Sequence, residues 1–258
     1  MDDPLYTRLL IAVLMLTVAA QALFAALPWL DLAASGALAD GTQGFAAARH
    51  PVLPRLNGAI RETFQFGAIA LILWGLGAMI LGRLRGDWLR VWAYFASSVI
   101  LAPGILVNLV LKAHSGRARP ATIEQFGGEL VFTPAGVFTD QCARNCSYTS
   151  GEAALAACLA IVALTLCWAN LTVLRRVVAL LVAVAVVGGV SWLRMALGRH
   201  FLSDVVMSTL FTALVALALY RLLGIGRARR VVTPAALRAG LGAARRGLVR
   251  IARGRSSP

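Results

Sequence analysis

Three short segments of this 258-residue chain carry side chains suited to gripping and attacking a phosphoryl group. The first reads Lys112-Ala-His-Ser-Gly-Arg-Ala-Arg119-Pro120, the second Ser147-Tyr-Thr-Ser150-Gly151-Glu152, and the third Arg194-Met-Ala-Leu-Gly-Arg-His200-Phe-Leu-Ser-Asp204. Lys112, Arg119 and Arg194 are long cations able to surround a dianion, and the arginines add bidentate forks. Ser150 and Gly151 stand just before an apolar run, where the free N–H groups and dipole of a helix start favour an anion. Gly151 also permits close backbone approach. His200 and Asp204 are spaced i, i+4. On a helix or its first turn, that carboxylate can accept one ring N–H and leave the other nitrogen free to attack. Glu152 is the remaining candidate for moving a proton.

Each feature has a plainer reading when taken singly. A histidine at a helix end is commonly an interfacial polar residue, Asp204 fits an N-terminal helix charge, and Ser150 fits an N-cap. An isolated arginine at a membrane boundary snorkels to the headgroups. The combination of residue type, spacing and shared position at the ends of apolar spans favours one common pocket.

The elements that must carry these segments are set by composition. Apolar residues make up 59% of the chain, charged residues 14%, and the mean hydropathy is +0.78. A soluble domain holds about 45–50% apolar and about 25% charged residues, so lipid must solvate much of this chain. Disordered, collagen-like and disulfide-scaffold classes are excluded on the same grounds. Six apolar stretches, 9–27, 64–82, 91–111, 153–171, 177–193 and 205–223, are each long enough to cross a bilayer as a helix. The first, with Arg8 before it and an A-x-A-type site at Ala33 to Ala37, also admits a signal peptide; the five spans after it favour an uncleaved helix.

Charge sets the expected orientation. Of the 25 basic residues, 24 are arginine and one, Lys112, is lysine, giving a formal net charge of +14. Arg83, Arg85 and Arg90, then Arg175 and Arg176, then the tail from Arg221 fall in alternate loops, which the positive-inside rule assigns to the cytoplasm together with both termini. Lys112, Arg117, Arg119, Arg144, Arg194 and Arg199 break that rule on the outer side, where boundary charge is costly and is kept where a site uses it. The chain divides into a transmembrane domain over 1–225 and a basic tail over 226–258. Within the tail, Leu237, Leu241, Ala244, Leu248 and Ile251 share one helical face, the pattern of an amphipathic helix on an anionic leaflet. With no interleaved aromatics to stack on bases, nucleic acid is not an expected partner.

The cysteines add a brace. Cys142 and Cys146, separated by three residues on the outer side, favour a short disulfide, with free thiols or a zinc site using His114 as alternatives. Cys158 and Cys167 fall in the fourth span as packing residues, and His50 has no evident partner. The loop 120–145 is long enough to form a lid or a headgroup-reading surface.

Taken in order over roughly 105–215, the segments resemble the phosphatidic-acid phosphatase type 2 superfamily, which includes membrane lipid phosphatases and vanadium haloperoxidases. Its first motif, lysine, six residues, arginine-proline, is matched by Lys112, Arg119 and Pro120. Its third, arginine, five residues, histidine, three residues, aspartate, is matched by Arg194, His200 and Asp204, with Leu193 where the family usually has serine. Its second, proline-serine-glycine-histidine, reads Thr149-Ser150-Gly151-Glu152 here. The resemblance implies an all-α membrane protein, a six-helix bundle of the family type. It also implies an enzyme of a bacterial inner membrane that hydrolyses a phosphorylated lipid on the periplasmic face. His200 would be the nucleophile and form a phosphohistidine, Asp204 would orient it, and Lys112, Arg119, Ser150, Gly151 and Arg194 would hold phosphate. No cofactor or metal is implied, because the cations do what a divalent ion does elsewhere.

The departure at Glu152 falls on the leaving-group acid. A free glutamate ionises near about 4.3; neighbouring cations depress that value and burial raises it. A bound dianion offsets the cations, so Glu152 would become an acid only with substrate present, or would instead orient a cation or the attacking water. The run Gly116-Arg-Ala-Arg-Pro with Cys142 and Asn145-Cys146-Ser resembles bacterial members that include or neighbour lipid A phosphatases. A lipid phosphotransferase fed by a polyprenyl diphosphate, a non-catalytic lipid-binding protein and a transporter are the alternatives, the last disfavoured by spans nearly free of charge. The lipid and the oligomeric state are not legible.

Overall fold

The computed structural model describes residues 4–236, 238 and 239, so most of the basic tail, including its proposed amphipathic face, lies outside the described residues. Among the described residues there is no strand, only an isolated bridge between Ile123 and Leu130. The main helices are α1 (Pro4–Ala26), a short α2 (Trp29–Gly36), α3 (Leu53–Ile80), α4 (Gly86–Val99), α5 (Gly151–Cys167), α6 (Val173–Ala196) and α7 (Leu202–Leu222). Helix α4 continues without a break through a π-helical stretch, Ile100–Leu111, into a last α turn, Lys112–His114. Among the described residues, six spans are long and apolar enough to cross a membrane, from Tyr6–Ala26 to Leu202–Leu222.

Helices α5 and α7 form the centre. They pack on each other, with α6 against α5 and α1 against α7. Half of the most apolar stretch of α7 is buried, against 6% of that of α6. Ala153, Ala154, Ala156 and Ala157 are buried in α5, and such small side chains let neighbouring backbones approach closely. Helices α3 and α6 instead turn Phe66, Trp74, Leu181 and Val184 outward as lipid-facing surface. Helix α1 is part of the bundle: Tyr6 stacks on Tyr220 with ring centroids 5.5 Å apart, and its hydroxyl donates to the Leu217 carbonyl at 2.9 Å.

One part of the site end differs from the sequence expectation, which began the second span at residue 64. The stretch 28–63 is not a plain loop, because α3 begins at Leu53, eleven residues ahead of its apolar run, with proline in the first turn where it suits a helix start. Hydropathy finds the lipid-crossing part of a helix and misses a polar extension such as Arg55-Leu-Asn57 above it. In the loop 120–145, expected as a lid or a headgroup-reading surface, Ile123 and Phe126 anchor the first residues, buried with Phe45 and Phe201 in a compact cluster. Within α4, Pro103 lacks an N–H, and the Asn108 side chain donates to its carbonyl at 2.6 Å inside the π-helical stretch.

Candidate active site

A cavity of about 530 Å³ opens at the end of the bundle where α4 ends and α5 starts. It is lined by Lys112 at the end of α4, Arg119 from the following loop, Gly151 and Glu152 at the start of α5, and Arg194 in the last turn of α6. Helix α3 adds Asn57 and Arg61, and Arg199 closes another side. Five of the eight sequence-predicted residues therefore share one wall, drawn from three separate segments. Gly151 is required here because a Cβ would fall 2.3 Å from Oδ1 of Asn108.

The polar groups lining the cavity are only partly paired. Arg194 contacts Glu152 at 3.1 Å. With its amide oriented to satisfy both, Asn57 donates to the other Glu152 oxygen at 3.0 Å and accepts from Arg194 at 3.1 Å. Nε of Arg194 is buried and has no hydrogen-bond partner. Arg119 donates to the Asn145 carbonyl at 2.6 Å. Burial first, and the like charge of Arg199 next, push the Arg119 guanidinium below its ordinary range. An arginine still keeps its proton, so this cost is relieved when an anion enters.

His200 is fully buried beside this wall and does not itself line the cavity. Its Nδ1 lies 2.8 Å from the Ser147 carbonyl oxygen, which only accepts, so Nδ1 carries the proton and donates. That leaves Nε2 as the lone-pair nitrogen, buried and without a hydrogen-bond partner. Asp204 was expected to take the ring N–H; its Oδ2 is 3.6 Å from Nδ1, outside normal hydrogen-bond range, and acts through charge instead. Asp204 is drawn away because it accepts from Arg117 at 2.7 Å, from the Ser147 hydroxyl at 2.5 Å and from the Phe201 N–H at 2.8 Å. Burial lowers His200 to about 4 against the opposing pull of Asp204, so the imidazole is neutral at neutral pH. Ser150 serves as the N-cap of α5, its hydroxyl accepting from the Ala153 N–H at 3.4 Å, while its own N–H donates to Ser208 at 2.8 Å.

Residues 90–226 match the PAP2 superfamily, the phosphatidic-acid phosphatase type 2 group. That match covers more than half of the chain. The chain belongs to the PAP2 superfamily. Among its relatives is a protein named lipid A 4'-phosphatase from Francisella tularensis subsp. novicida, 34% identical over 158 residues, 61% of this chain and 69% of the relative. Another of that name, from Rhizobium leguminosarum, is 38% identical over 125 residues, 48% of this chain and 52% of the relative. A third, from Rhizobium etli, is 35% identical over 125 residues, 48% of this chain and 47% of the relative, so the match spans about half the length of both rhizobial proteins. No solved structure matches the chain. Family and relatives together indicate a membrane-embedded phosphatase.

The PAP2 motif positions do not account for everything charged at this end. Arg117, inside the variable stretch of the first motif, is fully buried. Its Nε donates to the Thr133 carbonyl at 2.8 Å, and its terminal nitrogens donate to Asp204 at 2.7 Å, Ser203 at 2.9 Å and Asp31 at 2.8 Å. The guanidinium also lies 4.2 Å from the centroid of Phe201. Asp31, on α2, accepts from the Ser203 N–H and hydroxyl, and burial raises it above the usual carboxylate range while Arg117 pulls it back. This cluster ties α2, the first-motif loop and the start of α7 together. Sequence reading saw Arg117 only as one more outer cation and gave no role to Asp31.

The cysteine alternatives are resolved by distance. Cys142 and Cys146 are joined as a disulfide with Cα atoms 5.6 Å apart, so neither is a zinc ligand. Among the described residues no group of three or more His, Cys, Asp and Glu side chains could hold a metal ion. His114 contacts the Val110 carbonyl at 2.8 Å, and His50 accepts from the Val52 N–H at 3.1 Å.

Proposed function

We propose that this PAP2 protein removes a terminal phosphate from a membrane lipid through a phosphohistidine at His200, with lipid A bearing its 4'-phosphate as the leading substrate. One observation carries the reading. Lys112, Arg119 and Arg194 surround a single cavity beside a neutral histidine whose Nε2 has no partner. The names of the three relatives support the choice of lipid.

In this mechanism the phosphate dianion enters among the three cations and the N-terminal N–H groups of α5. Nε2 of His200 attacks phosphorus, and the P–O bond to the lipid breaks as Glu152 delivers a proton to the departing oxygen. Water then attacks the phosphohistidine, Glu152 takes the proton back, and phosphate leaves with His200 restored. Glu152 suits the acid role because it is the one carboxylate among the described residues that line the cavity with the three cations. The cations act as fixed charge at the oxygens of the transition state, each contact worth about 3–4 kcal/mol.

Arginine distribution supports placing the cavity on the periplasmic face of a bacterial inner membrane with both termini in the cytoplasm. The test is phosphate release by purified protein in detergent, with chelator present, from lipid A, undecaprenyl diphosphate, phosphatidylglycerol phosphate and phosphatidic acid. Chelator-resistant release, fastest from lipid A, is the expected result. A product that forms only when an acceptor lipid is added would reassign the chain to phosphotransfer, and no turnover of any kind would leave a binding protein.

A further inference from the structure

We propose that the segment Asn145–Ser147, closed off by the Cys142–Cys146 disulfide, positions the anion-binding cations against the histidine, so that turnover depends on that disulfide being oxidised. The inference rests on the phosphatase reading and adds a positioning element to it.

Three consecutive residues touch both halves of the site. The Asn145 carbonyl accepts from the Arg119 guanidinium at 2.6 Å. The Cys146 N–H donates to the Lys112 carbonyl at 3.4 Å, and the Ser147 N–H to the Arg117 carbonyl at 2.9 Å. The Ser147 carbonyl receives the His200 ring proton at 2.8 Å, and its hydroxyl donates to Asp204 at 2.5 Å. No other stretch this short links the first-motif cations to the third-motif histidine and aspartate among the contacts described.

The segment needs something to hold it. Asn145 has φ of +54°, in the left-handed region that few side chains tolerate and asparagine tolerates best. That turn aims its carbonyl at Arg119. The disulfide joins the residues that flank Ala143, Arg144 and Asn145, and so fixes the turn from both ends. Arg119 is held in place against burial and against the like charge of Arg199, so a loosened carbonyl frees it toward solvent.

Reduction has a route. Cys146 is fully buried but Cys142 is partly exposed. A dithiol attacks Sγ of Cys142 as a thiolate, the S–S bond breaks, and Cys146 leaves as a thiolate and takes up a proton. The second thiol of the reductant then displaces Cys142, which also gains a proton. Two electrons and two protons pass to the protein, and the reductant becomes a cyclic disulfide.

The experiment compares phosphate release from lipid A by oxidised protein, by dithiol-treated protein and by a Cys142→Ala, Cys146→Ala double variant, each with and without Arg119→Gln. Reduction and the double variant should each lower kcat/KM by roughly ten- to hundredfold, the scale of a small misplacement of catalytic groups. Dithiol should have no further effect on the double variant. Arg119→Gln should cost less without the disulfide than with it, a non-additivity that general destabilisation does not produce. Oxidised and reduced protein agreeing within about twofold, or Arg119→Gln costing the same in both backgrounds, overturns the proposal. If oxidised protein releases phosphate from no lipid, the hydrolase reading falls and positioning is read from inorganic phosphate instead. A phosphate-induced rise in Tm that vanishes on reduction then upholds the positioning role; an equal rise in both states, or none in either, overturns it.

Discussion

Arg117 and Arg194 sit at the same end of the bundle, both buried and both facing carboxylates, yet their surroundings follow opposite rules. Arg117 spends its donors on Thr133, Ser203, Asp204 and Asp31 and stacks on Phe201. Arg194 meets one carboxylate, Glu152, leaves Nε without a partner, and borders an open cavity with Lys112 and Arg119. The first cluster holds one cation between two carboxylates, and the second holds an excess of cations. A saturated cluster fixes geometry, whereas an unsaturated one keeps capacity for a ligand of opposite charge. His200 lies between them. The negative cluster would favour its imidazolium, but burial dominates and keeps it neutral, which is the state a nucleophile needs.

The contrast breaks most sharply at Arg117. Arg117→Met leaves Asp31 and Asp204 buried without their cation and should cost about 3–5 kcal/mol of stability, seen as a large fall in Tm in detergent. Arg194→Gln should do the reverse, lowering kcat/KM by roughly 10²–10³ fold, about 3–4 kcal/mol, with Tm close to that of the unsubstituted protein. If Arg194→Gln unfolded the protein as Arg117→Met does, the two clusters would not differ in kind.

Glu152→Gln sharpens the ligand side. It should slow release from a lipid by about 10²–10⁴ fold and slow release from an aryl phosphate far less, because that leaving group departs without a proton. Equal losses on both substrates would make Glu152 a partner that positions Arg194. The pH profile is the mildest probe. His200 is nucleophilic when neutral, and its ring, followed by NMR across a pH series in the ligand-free protein, should stay neutral on acidification until pH approaches about 4, whereas an ordinary histidine would take up its proton near about 6.5. Protonation near the ordinary value would mean that burial does not set the state of this ring.

The six spans were legible because lipid demands an unbroken apolar run, and each run in the sequence lies largely within an observed helix. The first turns of α3 were not, since Arg55, Asn57 and Arg61 rise above the apolar stretch and carry no hydropathy signal. Spacing pointed to Lys112, Arg119, Glu152 and Arg194, and the cavity gathers them. The partner of His200 was misread, because a backbone carbonyl such as that of Ser147 leaves no trace in side-chain identity. Arg117 was visible only as a loop cation. Its partner Asp31 lies 86 residues away, and nothing local marks one as waiting for the other.

The central claim is that His200 carries the phosphoryl group, and single-turnover reaction with lipid A labelled in its 4'-phosphate tests it most directly. On alkaline quench, the unsubstituted protein should retain acid-labile, base-stable label on the peptide containing His200. His200→Ala should retain none and release almost no phosphate. Phosphate release by His200→Ala at a rate within about tenfold of the unsubstituted protein would contradict the account.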